Sequence, residues 1–101
     1  MASKRSLAER IAMLQQAEIV MNRLNSDIKC EEDQIQWEKD CIKEQNGKIK
    51  ELTEGIDEEC QDKAAIRRAE SDVHWHEDCL KGHETCLKAM HELMKIIEDN
   101  V

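Results

Sequence analysis

Two histidine–cysteine pairs are the residues of this sequence best suited to chemistry. His76 stands three residues before Cys79, and His83 repeats the arrangement before Cys86. In a helix, this spacing places all four side chains on one stripe. Imidazole and thiolate are the ligands that zinc prefers, and a structural zinc site needs four ligands. The stripe is therefore a candidate metal site.

One helix cannot bring these four side chains to one ion. His76 and Cys86 would lie about 15 Å apart along the axis, at 1.5 Å per residue. A site would need further ligands from a facing helix or a second chain. The simpler interpretation is that these residues pack in a helical seam. Binding of a metal by His76, Cys79, His83 and Cys86, or a redox response of the same stripe, is the alternative. No resident cofactor is expected.

Catalysis by a cysteine beside a histidine would need more than this stripe. A nucleophilic site also requires a pocket, an orienting third group and donors for an oxyanion. The sequence has three glycines and no proline, and it contains no Gly-rich turn that could aim backbone amides at a substrate. We therefore expect no enzymatic activity and no small-molecule substrate.

The positions that hold this stripe belong to a sevenfold repeat of apolar residues. One series runs from Leu7 to Ile56, and a second, shifted by three positions, runs from Ile66 to Val101. A sustained period of seven is typical of a coiled coil, because it keeps one stripe against a supercoiling partner. We call these the a positions of the heptad. The predicted interface residues are Leu7, Leu14, Met21, Ile28, Ile35, Ile42, Ile49, Ile56, Ile66, Val73, Leu80, Leu87 and Met94, together with Trp37 and Trp75.

The d positions, three residues after each a, are less apolar. They include Glu31 and Glu38 in the first series and His76 and His83 in the second. Apolar residues continue on the adjacent g and c positions, so each half has a broad apolar face. A broad face favours a three- or four-helix bundle completed by oligomerisation. The two tryptophans stand on c positions, where they either pack within the bundle or contact a partner protein.

The shift between the two series predicts a turn. Gly55 can adopt the left-handed conformation that ends a helix, and acidic residues 57–59 suit the first turn of the next helix. The prediction is an all-α fold: a flexible basic segment 1–5, helix 1 over 6–54, a turn at 55–57 and helix 2 over 58–98, as a long antiparallel hairpin. Residues whose numbers add up to about 111 would then lie side by side. One continuous helix, or a third helix starting near Ser26, stays open.

Charge and composition limit the partners. The sequence has 15 basic and 23 acidic residues, a net charge of −8, which opposes binding to nucleic acid. Its longest apolar run, Ile19-Val20-Met21, is too short to span a membrane. Five cysteines in helical pattern, without a secretory signal, favour a reducing cytoplasmic or nuclear location. The sequence thus predicts a non-enzymatic coiled-coil scaffold subunit, whose partners are other helical chains, either copies of itself or members of a heteromeric complex.

Overall fold

Two long helices form an antiparallel hairpin in the computed structural model, which describes residues 6–100. Helix α1 spans Leu7–Thr53, a 3-10 turn spans Glu58–Cys60, and helix α2 spans Lys63–Asp99. The result is a rod with Cα extents of 78 × 23 × 16 Å. The predicted all-α helical hairpin is confirmed. The basic segment 1–5 lies outside the described residues.

Helix α1 is continuous through the position at which the sequence left an earlier break open. It passes through Ser26 without interruption. It ends only at Thr53, and the chain then turns back. Over residues 6–100 the structure therefore has neither a third long helix nor a single continuous one.

Local capping accounts for both ends of α1. At its start, the Ser6 hydroxyl accepts a hydrogen bond from the N–H of Glu9 at 3.1 Å, which satisfies an amide that has no partner within the helix. At its end, the N–H of Glu54 donates to the carbonyl of Lys50 at 2.8 Å. Gly55 follows with φ +69°, the left-handed conformation that glycine adopts without a steric penalty.

The connection is longer than the three-residue turn predicted from the sequence. Helix α2 begins at Lys63, five residues after position 58, because Asp62 is its capping residue and accepts from the N–H of Ala65 at 3.1 Å. The Gln61 side chain holds the connection together, since its Nε2 donates to the carbonyl of Ile56 at 3.1 Å. The acidic residues 57–59 thus lie in the connection and not in the first turn of α2.

The core is a narrow seam between the two helices. Leu24, Ile28 and Met94 are buried against each other, and four partly buried residues pack around them: Met21, Leu87, Met90 and Ile97. Further towards the turn, Ile35 is buried on α1 and Val73 on α2. The predicted a positions therefore face the opposite helix along the middle of the rod. The half-buried ones are Met21, Ile42, Ile49, Ile66, Leu80 and Leu87.

Three of the predicted interface residues at a positions of the first series are exposed. Leu7 and Leu14 keep 71% and 50% of their surface accessible, because the N-terminal turns of α1 extend past the end of α2. Ile56 is exposed in the connection. A thin seam and an uncovered overhang leave much of the apolar surface of this hairpin in contact with solvent.

Candidate interaction face and glutamate–histidine layers

The most buried of the described residues is a carboxylate. Glu38 retains 3% of its accessible surface, and its Oε2 lies 2.6 Å from Nδ1 of His76 on the opposite helix. When the carboxylate is ionised it has only acceptors, and the bond then requires that Nδ1–H of His76 donates to Oε2 of Glu38. The bond satisfies both side chains inside the seam, where an unpaired carboxylate would cost several kcal/mol.

A second layer of the same kind lies one heptad away. Nδ1 of His83 is 2.6 Å from Oε2 of Glu31, with both side chains partly exposed. In each pair the two residue numbers add up to 114. The predicted register of about 111 is therefore wrong by three residues. The cause is the connection: it is centred near residue 57 and not on the turn at Gly55.

Trp37 and Trp75 flank the first of these layers. The ring centroid of Trp37 lies 5.7 Å from that of His76, and the Trp75 centroid lies 4.9 Å away, both in edge-to-face arrangements. The two indoles, one from each helix, thus lie on the same side of the hairpin and at nearly the same level. Their outer surfaces stay open, with 52% and 60% exposure. Half of each indole surface is available for another contact.

The histidine–cysteine stripe does not form a metal centre in this structure. The Nδ1 atoms of His76 and His83 contact glutamates, while Cys79 is half-buried and Cys86 exposed. Within residues 6–100, no group of three or more His, Cys, Asp or Glu side chains is placed to hold an ion. The d positions of α2 instead supply polar partners for the d positions of α1.

Sequence reasoning placed Glu31 and Glu38 at d positions but did not pair them with the histidines. The spacing of these residues was the available signal. Glu31 and Glu38 are seven residues apart, and so are His76 and His83. The predicted register, in which residue numbers add up to about 111, placed Ile35 opposite His76 and Ile28 opposite His83. The match between the glutamates and the histidines was therefore missed.

Beyond the seam, apolar residues at g and c positions form a second surface, here called the outer face, which on α1 also carries Arg23 and Asp27. In an antiparallel pair of helices the g positions of both helices lie on the same side as the d layers. The shared contact of both indoles with His76 marks that side. Its large exposed members are Trp37, Trp75, Val20, Leu93 and Ile96, with exposures between 45% and 60%. Large exposed apolar patches are typical of surfaces that bind other proteins.

Comparison of the chain with protein-family models, with curated proteins and with solved structures finds no match. Neither described helix contains an apolar stretch long enough to cross a membrane. The geometry of the chain itself is thus the basis for assigning a function.

Proposed function

We propose that this protein is a non-enzymatic coiled-coil assembly subunit that associates through its outer face with other helical chains, its own copies among them. The single observation that carries the proposal is the set of large apolar side chains left exposed on one side of the rod. Trp37 and Trp75 lie in its middle, and Leu93 and Ile96 lie near its open end. Covering such residues stabilises a complex by about 25 cal/mol for each Å² of apolar surface removed from water.

The uncovered start of α1 supports the same function. Leu7, Ile11 and Leu14 are at least 46% exposed on turns that have no neighbouring helix. These turns continue the heptad frame of the buried seam, so a further helix could pack on them without a change of register. The five cysteines are free thiols, which fits the proposed reducing intracellular location. The metal-responsive alternative is not proposed, because no specific geometry favours it.

The test is the mass of the purified chain by light scattering over a range of concentrations. We expect a mass at least twice the 11.8 kDa of one chain, which falls to one chain on dilution. Ile96→Glu places a charge on the outer face and should shift the equilibrium towards the monomer by at least tenfold in Kd. Ile19→Glu is the matched control, because Ile19 is 69% exposed and lies opposite the seam, outside the g and c positions of the outer face. A monomer at every concentration, or equal effects of the two variants, would contradict the proposal.

A further inference from the structure

The outer face of α2 carries an uncharged stripe, and the size of its side chains changes regularly along the helix. Seven successive g and c positions lack a charge, in a chain with 38% charged residues. Large side chains stand at both ends of the stripe and small ones in its middle. From one end to the other, the residues are Trp75, Cys79, Gly82, Cys86, Ala89, Leu93 and Ile96.

Successive residues of this stripe are alternately four and three positions apart. The stripe therefore has the same spacing, to within one residue, when it is read from either end. A second α2 laid antiparallel on it, and centred near Cys86, brings Trp75 opposite Ile96 of the other copy. In the same register, Cys79 comes opposite Leu93, so a small residue faces a large one. Gly82 comes opposite Ala89, which lets the two backbones approach closely. An added Cβ at Gly82 meets nothing within 4 Å inside its own chain, so the space in front of it is open.

Helix α1 independently gives the same centre. Because residues adding up to 114 share a level, Cys86 lies level with residue 28 of α1. A second α1 that is laid antiparallel on the first, and centred near residue 28, brings Val20 opposite Trp37 of the other copy. Both residues are exposed on the outer face. The large side chains of both helices thus meet in one and the same antiparallel arrangement.

Charge and area agree with a second copy as the occupant. In this arrangement Glu9, at a c position near the start of α1, comes level with Lys48, at a g position of the other copy, so opposite charges approach at the end of the interface. The overlap from Val20 to Trp37 and one further turn at each end is about 40 Å long and two helices, roughly 20 Å, wide. That is on the order of 800 Å² on each partner, the size of a standard stable interface.

We propose that two copies of this chain form an antiparallel four-helix bundle, with α2 packed on α2 about a twofold axis at Cys86. This inference rests on the proposed assembly function and names the partner and the register. The indoles of each copy cover the Val20, Leu93 and Ile96 surface of the other. A twofold interface uses the same patch on both subunits, as the ordering of this stripe requires.

Disulfide formation tests the register. The variant that keeps only Cys86, with the other four cysteines replaced by serine, should form a covalent dimer under mild oxidation, because a disulfide requires Cα atoms within about 7 Å. The variant that keeps only Cys60 is the control. Its thiol is exposed in the connection, far from the proposed axis, and it should not link the copies of the same dimer.

A bulky side chain at the axis provides a second test. Gly82→Leu should raise the dimer Kd at least tenfold, since the added side chain separates the two α2 helices. Gly47→Leu is its matched control, because Gly47 is also helical, has open space around its Cβ position and lies opposite the seam, outside the g and c positions of the outer face. Both changes favour helix formation, so circular dichroism should report an intact hairpin in each.

The outcomes of these two experiments distinguish a failure of the antiparallel register from a failure of the proposed assembly function. A dimer that links in a variant keeping Cys30 and Cys86, but not in one keeping Cys86 alone, indicates that the two hairpins run parallel, with α1 of one copy on α2 of the other. That result overturns the antiparallel register and leaves the assembly function in place. A chain that stays monomeric overturns both. A dimer that links through Cys86 alone and dissociates in Gly82→Leu supports the proposal.

Discussion

Nδ1 of His76 lies 2.6 Å from Oε2 of Glu38, and this bond joins the two helices at the most buried of the described side chains. The layer restricts the register of the hairpin. A slip of one heptad in the direction that matches Glu38 with His83 would place Glu31 against Met90 and leave its carboxylate without a donor. Two glutamate–histidine layers seven residues apart therefore favour one alignment over its neighbours, in the way that polar layers specify coiled coils.

Removing the Glu38 carboxylate should destabilise the hairpin. In Glu38→Ala the His76 ring loses its partner and a small cavity forms, so we expect the free energy of unfolding to fall by about 2 kcal/mol. Urea denaturation followed by circular dichroism measures the change. Glu32→Ala is the control, because Glu32 is exposed on the same helix, and it should change stability by less than about 0.5 kcal/mol.

Replacing both members of the layer should have a different effect. In the double variant Glu38→Leu with His76→Leu no buried polar group is left unpaired, so stability should equal or exceed that of the natural chain. The layer would then contribute alignment and not net stability. A double variant as unstable as Glu38→Ala would show that the two side chains contribute stability beyond their mutual bond.

Gly55 is the position at which the backbone itself requires glycine. Its φ of +69° is unfavourable for other residues, so Gly55→Ala should destabilise the hairpin by about 1 kcal/mol. Gly47→Ala lies inside α1, where alanine is the better helix former, and should stabilise by about 0.5–1 kcal/mol. Thermal melting of the two variants should thus shift the Tm in opposite directions. A loss of stability in both would contradict this account of the turn.

The thiol of Cys41 should react slowly with alkylating reagents near neutral pH. Its pKa is raised because partial burial desolvates the thiolate, and because Glu38, Glu44 and Asp40 repel its negative charge. The thiolate is the reactive form, so a raised pKa lowers the reactive fraction until the pH approaches that higher value. Iodoacetamide labelling of a variant that keeps only Cys41 should be slower than labelling of one that keeps only Cys60, and the gap should narrow as the pH rises.

Changing one of the repelling charges separates electrostatics from simple access. Glu44→Gln removes a negative charge next to Cys41 without shortening the side chain, so it should lower the pKa of the thiol and speed the reaction at a fixed pH. Lys43→Gln changes a neighbouring charge that is not among the causes of the shift and serves as the comparison. If neither variant alters the rate of Cys41, then steric access and not charge controls it.

The local rules of helix formation were readable in the sequence. The two sevenfold series and the glycine at position 55 each act through neighbours a few residues away. They predicted two long helices and the point at which the first one ends, and the structure has both. The same rules gave a broad apolar surface on each half of the chain. This surface is the outer face on which the proposed function rests.

Tertiary structure decided the register and, with it, the identity of the polar layers. The path from Glu54 to Asp62 depends on hydrogen bonds of Gln61 and Asp62, which heptad periodicity does not describe. That path moved the pairing by three residues and brought Glu31 and Glu38 to the histidines instead of to Leu80 and Val73. A repeat specifies which side of a helix is buried, whereas the length and shape of the connection specify which residue it meets.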